Sequence, residues 1–215
     1  MKRAQAHRRS GFTLVEVMVS GAVMALLLFA VGLTTLDGNK AYRTGMAQDQ
    51  ATVKAQRALD LIADTISMAG SGAIAPTTTS PATSSITFRT PTGYTAGAVT
   101  WNAQTRIDFQ YTAQDPNDGV DNDRDGFVDD GMVVLTRDIG LATQKSVVLA
   151  RNVREYLEGE TSAPGDNNAN GLSDERGLCF QLSGDQLTIW LTIVGRDDNG
   201  RDVVRTLSTI VKVRN

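Results

Sequence analysis

The chain has 215 residues, enough for one hydrophobic core and an appended segment. Its charge is unevenly divided: residues 1–11 carry Lys2, Arg3, Arg8 and Arg9 with no acid, whereas residues 12–215 hold 17 basic against 24 acidic side chains, a balance of −7. A body this acidic repels phosphate backbones, so no nucleic-acid contact is expected. His7 is the only histidine and Cys179 the only cysteine. That leaves no internal disulfide, no Ser-His-Asp or Cys-His arrangement, and no histidine-bearing metal site in the body. Cys179, between Leu178 and Phe180, reads as a small buried hydrophobe.

Between Glu16 and Asp37 lie twenty uncharged residues. As a helix they span about 30 Å, the thickness of a bilayer core. The basic flank ahead of them should stay in the cytoplasm and the rest of the chain should cross. A cleaved signal peptide would have a shorter apolar region ending at small residues, whereas here the helical pattern continues. Glu16, at the edge of the apolar run, is costly unless paired, and its position asks for a cationic partner.

Residues Gly11 to Ser20, GFTLVEVMVS, resemble the processing and methylation motif of type IV prepilins and of type II secretion pseudopilins. The resemblance implies that a prepilin peptidase removes the basic leader, residues 1–11, by cutting after Gly11. It also implies that Phe12 becomes a methylated N-terminus and that Glu16 pairs with the N-terminus of a neighbouring subunit. Ala41-Tyr42-Arg43 and RALDLIADTISMAG (57–70) extend the likeness to minor pilins of the PilW type and to the related J-type minor pseudopilins. Many relatives carry a proline in the middle of the anchor; here only Gly21 and Gly32 could weaken the helix.

The expected fold is therefore α+β and type IV pilin-like. A long N-terminal helix, its first half (12–37) in the membrane and its second half (38–70) amphipathic, packs on the antiparallel sheet of an extracytoplasmic domain (71–215) with acidic loop insertions. In the second half Leu59, Ile62, Ile66 and Ala69 recur at helical spacing, with Met46 and Val53 seven apart and Met68 read as packing. Gly38 and Gly45 weaken the helix, and Gly70 and Gly72 are expected to stop it. Residues 71–104 read as a connecting region with one extended piece at Ile86–Phe88. Strands are expected at 106–112, 132–137, 146–149, 155–157 and 178–182. A final hairpin of 187–194 and 202–213 turns through Asp197-Asp198-Asn199-Gly200.

Residues 115–131, DPNDGVDNDRDGFVDDG, carry the clearest chemistry. Asp121, Asp123, Asp125, Gly126 and Asp129 match positions 1, 3, 5, 6 and 9 of an EF-hand calcium loop, with the Phe127 carbonyl at position 7. Alternate carboxylates converge on a hard cation and the glycine makes the turn. Position 12 is Met132 instead of the bidentate glutamate, so Asp130, Asp118 or Asp115 is expected to complete the shell, as in the dockerin-like and thrombospondin-type repeats this stretch also resembles. Asp166, Asn168, Asn170, Gly171 and Asp174 repeat the offsets more sparsely, with Glu175 next and Gly177 at position 12. There an asparagine-rich surface loop and a second metal site are both open readings.

The resemblance implies a non-enzymatic minor pilin, inserted in the inner membrane and assembled by helix packing with other minor and major pilins into the tip or priming complex of a type IV pilus. From there it would reach the pilus or cell surface, with Ca²⁺ in at least one loop. A J-type pseudopilin of type II secretion shares the anchor and processing. A membrane-anchored hydrolase using paired carboxylates is the competing class, but the acids cluster in loops with metal-ligand spacing and no isolated pair beside an apolar cleft can be named.

Overall fold

A computed structural model describes residues 11–77, 79–80, 83–198 and 200–213. The basic leader up to Ser10 lies outside the described residues. An α-helix, α1, spans Leu14–Ser67. Its residues belong to two units, Met1–Arg43 and Thr44–Asn215. In the first unit, Thr13 and Glu16 form a reciprocal cap. The Thr13 amide donates to Glu16 Oε2 at 2.8 Å and the Glu16 amide donates to Thr13 Oγ1 at 3.2 Å, satisfying two donors that a helix start leaves open. From Phe12 to Leu36 the large apolar side chains are exposed on every face, and the helix is long and apolar enough to cross a membrane.

In the second unit α1 lies on an antiparallel sheet. Ala51, Ala55, Ala58, Leu59, Ile62 and Ile66 form its buried face. Small residues dominate the upper part of that face, which lets the helix backbone approach the strands closely. Met46, Val53 and Met68 fall on the opposite side and are exposed, together with Leu61. The packing expected of the two methionines is therefore not with the sheet, whose side of the helix is set by the alanines. Gly70 is not the left-handed stop expected after the helix. Its φ is −83°, and a Cβ there would lie 2.4 Å from the Trp101 ring, so its smallness serves a close contact.

The strands are β1 (Ser85–Phe88), β2 (Pro91–Thr95), β3 (Ala98–Trp101), β4 (Thr105–Tyr111), β5 (Gly131–Arg137), β6 (Lys145–Val153), β7 (Leu178–Ser183), β8 (Gln186–Arg196) and β9 (Asp202–Lys212). Seven form one sheet in the order β1-β4-β5-β6-β8-β7, with β9 also on β8, while β2 and β3 form a separate hairpin. Residues 71–104 are therefore more than a connection: they hold three strands. The expected strand at 155–157 reduces to a single bridge, Tyr156 to Arg176. The final hairpin forms as read, with eleven registered pairs from Gln186↔Lys212 to Arg196↔Asp202. At its turn the buried Asp197 accepts hydrogen bonds from Thr44 Oγ1 and from the Arg201 amide, both at 2.9 Å. Asn199 lies outside the described residues.

The core joins Leu59, Ile62 and Ile66 of α1 to Ile86, Phe88, Ile107, Val133, Phe180, Ile189 and Leu191 of the sheet. Cys179 is fully buried beside it, and burial pushes its thiol up to about 12. A thiolate is thus inaccessible at neutral pH. The folded protein is expected to resist a thiol-specific reagent and to react once unfolded in denaturant; prompt labelling of native protein would contradict this burial.

Candidate metal centre

Two long insertions interrupt the sheet, one between β4 and β5 and one between β6 and β7. The first holds seven aspartates in its residues 115–130. Ligand oxygens of Asp121, Asp123 and Asp125 lie within 4.8 Å of one another. The local backbone explains the convergence. Asp121 Oδ2 accepts the Gly126 amide at 2.9 Å, Asp123 Oδ1 the Asp125 amide at 3.0 Å, and Asp125 Oδ1 the Phe127 amide at 2.9 Å. Each such turn fixes one oxygen on the backbone; the other is without a partner on Asp121 and accepts the Asn152 side-chain amide at 3.1 Å on Asp125. Gly126 sits at φ +100°, where a side chain would be strained and would also strike the Arg196 guanidinium.

The surroundings supply further carboxylates. Asp115 is fully buried; its Oδ1 accepts the Asn122 amide at 2.9 Å and its Oδ2 has no partner. Asp121 Oδ1 is likewise buried without a partner. Asp130 is buried, and its carboxyl is pushed up to about 7, first by desolvation and then by the charges of Asp125, Asp115, Asp123 and Asp121. Asp123, Asp125 and Asp130 line a pocket of about 210 Å³ with Thr112 and Asn152. Buried carboxylate oxygens with neither donor nor counter-charge are costly, and a cation removes both penalties at once.

Of the expected ligands, the structure brings together Asp121, Asp123 and Asp125, with Asp130 and Asp115 beside them. Two are turned elsewhere. The carboxylate of Asp129 accepts the amides of Asp118 and Gly119 at 2.9–3.0 Å, so it shapes the loop instead of facing the cluster. The carboxylate of Asp118 accepts the Val120 amide at 3.0 Å and the Asn122 side-chain amide. Position 12 supplies no oxygen: it is Met132, a strand residue paired with Gln110 and Arg151 that lines the same pocket. Phe127 is buried, with Arg196 over its ring at 5.1 Å. Arg196 also donates to the Gly126 carbonyl and pairs with Asp202 of β9 at 3.1 Å, fixing the loop to the final hairpin. The donor set is all oxygen and mostly anionic, which suits a hard divalent cation of adaptable geometry such as Ca²⁺ better than a thiophilic metal.

The residues expected to take part in processing lie elsewhere. Gly11 and Phe12 precede the helix and are exposed, and Glu16 is held by Thr13 as described. The cationic partner expected of Glu16 is therefore not its only means of satisfaction, since its carboxylate already accepts two hydrogen bonds from Thr13. An open groove of about 720 Å³ lies between the end of α1 and the β2–β3 hairpin, with Met68, Phe88, Val99 and Trp101 among its walls. Among the described residues its lining includes one carboxylate, Asp138. No family model, no curated protein and no solved structure matches the chain.

Proposed function

We propose that the chain is a membrane-anchored structural subunit of a helical filament, namely a minor pilin of the PilW type at the tip or priming complex of a type IV pilus, with calcium bound in its first acidic loop. The observation that carries this reading is the exposed apolar surface of α1. Its first half presents apolar side chains all round, and Met46, Val53, Leu61 and Met68 continue as an exposed stripe opposite the buried alanines. A bilayer covers the first half before assembly, and the helices of neighbouring subunits cover both in a filament, where small residues such as Gly21, Ala25, Ala30 and Gly32 permit close packing. The prepilin-like motif Gly11–Ser20 supplies the processing step, and the oxygen-rich loop supplies a clip that orders a long insertion by binding only the folded state.

Processing provides the test. Membrane-extracted protein is expected to have the mass of residues 12–215 with a methylated Phe12; retention of residues 1–11 in assembled material, or cleavage after the apolar segment, would overturn the reading. Glu16→Gln keeps an oxygen for the Thr13 cap and removes the charge. It is expected to insert normally yet to assemble poorly, as read by the fraction recovered in sheared filaments. Normal assembly of Glu16→Gln would reduce Glu16 to a helix cap.

A further inference from the structure

The second insertion repeats the first at the level of individual hydrogen bonds, displaced by forty-five residues. Asp166 Oδ2 accepts the Gly171 amide at 2.8 Å as Asp121 accepts that of Gly126. Asn168 Oδ1 accepts the Asn170 amide at 3.0 Å, and Asn170 Oδ1 the Leu172 amide at 2.8 Å, as Asp123 and Asp125 do for the residues two ahead. Left-handed backbone falls at Ala169, Gly171 and Asp174, matching Arg124, Gly126 and Asp129.

The correspondence extends to a residue outside the twelve-residue frame. Glu160 stands six positions ahead of Asp166, as Asp115 stands ahead of Asp121. Its Oε1 accepts the Asn167 amide at 3.1 Å, as Asp115 Oδ1 accepts that of Asn122, and its Oε2 is buried without a partner, as is Asp115 Oδ2. Glu175, the counterpart of Asp130, is fully buried; Oε1 accepts the Asn170 side-chain amide at 2.7 Å and Oε2 has no partner. Two fully or nearly fully buried acids, each with one oxygen on the loop and the other unmatched, are a costly arrangement for a solvated turn and a ready one for a cation. Position 12 is closed to a side chain, because a Cβ on Gly177 would lie 1.6 Å from the Arg154 carbonyl oxygen.

We propose that residues 160–175 form a second calcium site on the plan of residues 115–130, in which Glu160 and Glu175 supply the anionic ligands that position 12 lacks. Asp166, Asn168, Asn170 and the Leu172 carbonyl complete the oxygen set, while Asp174, whose carboxylate accepts the Gly165 amide at 3.0 Å, shapes the loop as Asp129 does. Three carboxylates surround this site against five in the first, so it is the weaker of the two. The inference rests on the calcium reading of the first loop only for the identity of the ion.

Equilibrium dialysis of the full-length protein in detergent against ⁴⁵Ca²⁺ counts the ions directly. The wild type is expected to bind two, Asp123→Asn/Asp125→Asn one, and Glu160→Gln/Glu175→Gln one. A wild type binding one ion that survives in Glu160→Gln/Glu175→Gln and is lost in Asp123→Asn/Asp125→Asn overturns the second site and leaves the first intact. The reverse pattern retains the second and removes the first, and no bound ion removes both. Should Glu160→Gln/Glu175→Gln fail to fold, trypsin digestion of the wild type decides: calcium is expected to protect the bond after Arg124 at low concentration and the bond after Arg176 only at higher concentration. Unchanged cleavage after Arg176 overturns the proposal.

Discussion

Gly177→Ala is expected to destabilise the domain by about 3 kcal/mol or more, a large fraction of a typical folding free energy. The added Cβ would sit 1.6 Å from the Arg154 carbonyl oxygen, and backbone has no flexible end to swing aside. Gly177 donates to the Glu155 carbonyl and accepts from the Thr192 amide, each at 2.7 Å, so displacing it also breaks the neck of the second insertion. Each of those bonds is worth about 1 kcal/mol. Arg176, bound to Glu155 at 2.6 Å and stacked over Tyr156 at 4.6 Å, belongs to the same neck and would be disturbed with it. The corresponding change in the first loop, Met132→Glu, is expected to leave the fold intact. Met132 is only half-buried, faces the pocket lined by Asp123, Asp125 and Asp130, and has Arg151 opposite it. Thermal denaturation of the two variants side by side is the measurement, and equal melting temperatures would show that the close approach at Gly177 is not a constraint.

The second large effect couples calcium to pH. Without the ion, the folded pKa of Asp130 is about 7, well above the roughly 3.9 of an unfolded aspartate. A folded pKa above the unfolded one means stability that is present below about pH 4 and lost as pH rises through 7. In chelator, the melting temperature should therefore fall between pH 5 and pH 8. Calcium replaces the proton as the neutralising charge, so the fall should disappear in millimolar calcium. Extracytoplasmic calcium modules have dissociation constants of about 10⁻⁴ to 10⁻³ M. At tenfold excess one such site adds about 1.4 kcal/mol, a rise of about 3–6 °C for a chain of this size. The rise should be larger at pH 8 than at pH 5, and magnesium should reproduce little of it because its shell demands a stricter octahedron. Coincident melting curves in calcium and chelator at both pH values would reduce the acidic run to a solvated turn.

The parts of the fold that obey a period were legible. Leu59, Ile62 and Ile66 announced the buried helix face, and the extended runs on either side of Asp197-Asp198-Asn199-Gly200 announced the β8–β9 hairpin. The upper helix face was not, because Ala51, Ala55 and Ala58 carry little hydrophobic signal while Met46 and Val53 carry much, yet geometry buries the former and leaves the latter outside. The β2–β3 hairpin was invisible for a related reason. Every residue in it is exposed, so no alternation marks it, and its stability comes from cross-strand contacts such as Thr92 with Thr100. In the acidic loops, spacing alone identified Asp121, Asp123 and Asp125. It could not separate Asp129, which bonds the loop backbone, from Asp130, which faces the cluster, because neighbouring acids differ only in where a left-handed residue turns them. Glu160 escaped notice because burial, not spacing, is its signal.

The eleven-pair ladder between β8 and β9 bears on how the domain would carry load. Tension applied along the strand axis, with the two strands drawn in opposite directions, stresses all eleven pairs together and must break them as a group. A pull on the C-terminal end alone peels Gln186↔Lys212 first and proceeds one pair at a time. Arg196, which joins the far end of the ladder to the first acidic loop, lies where such peeling arrives last. Mechanical resistance should therefore depend on pulling direction more than on total stability, and an ion in the first loop should strengthen only the final step of peeling.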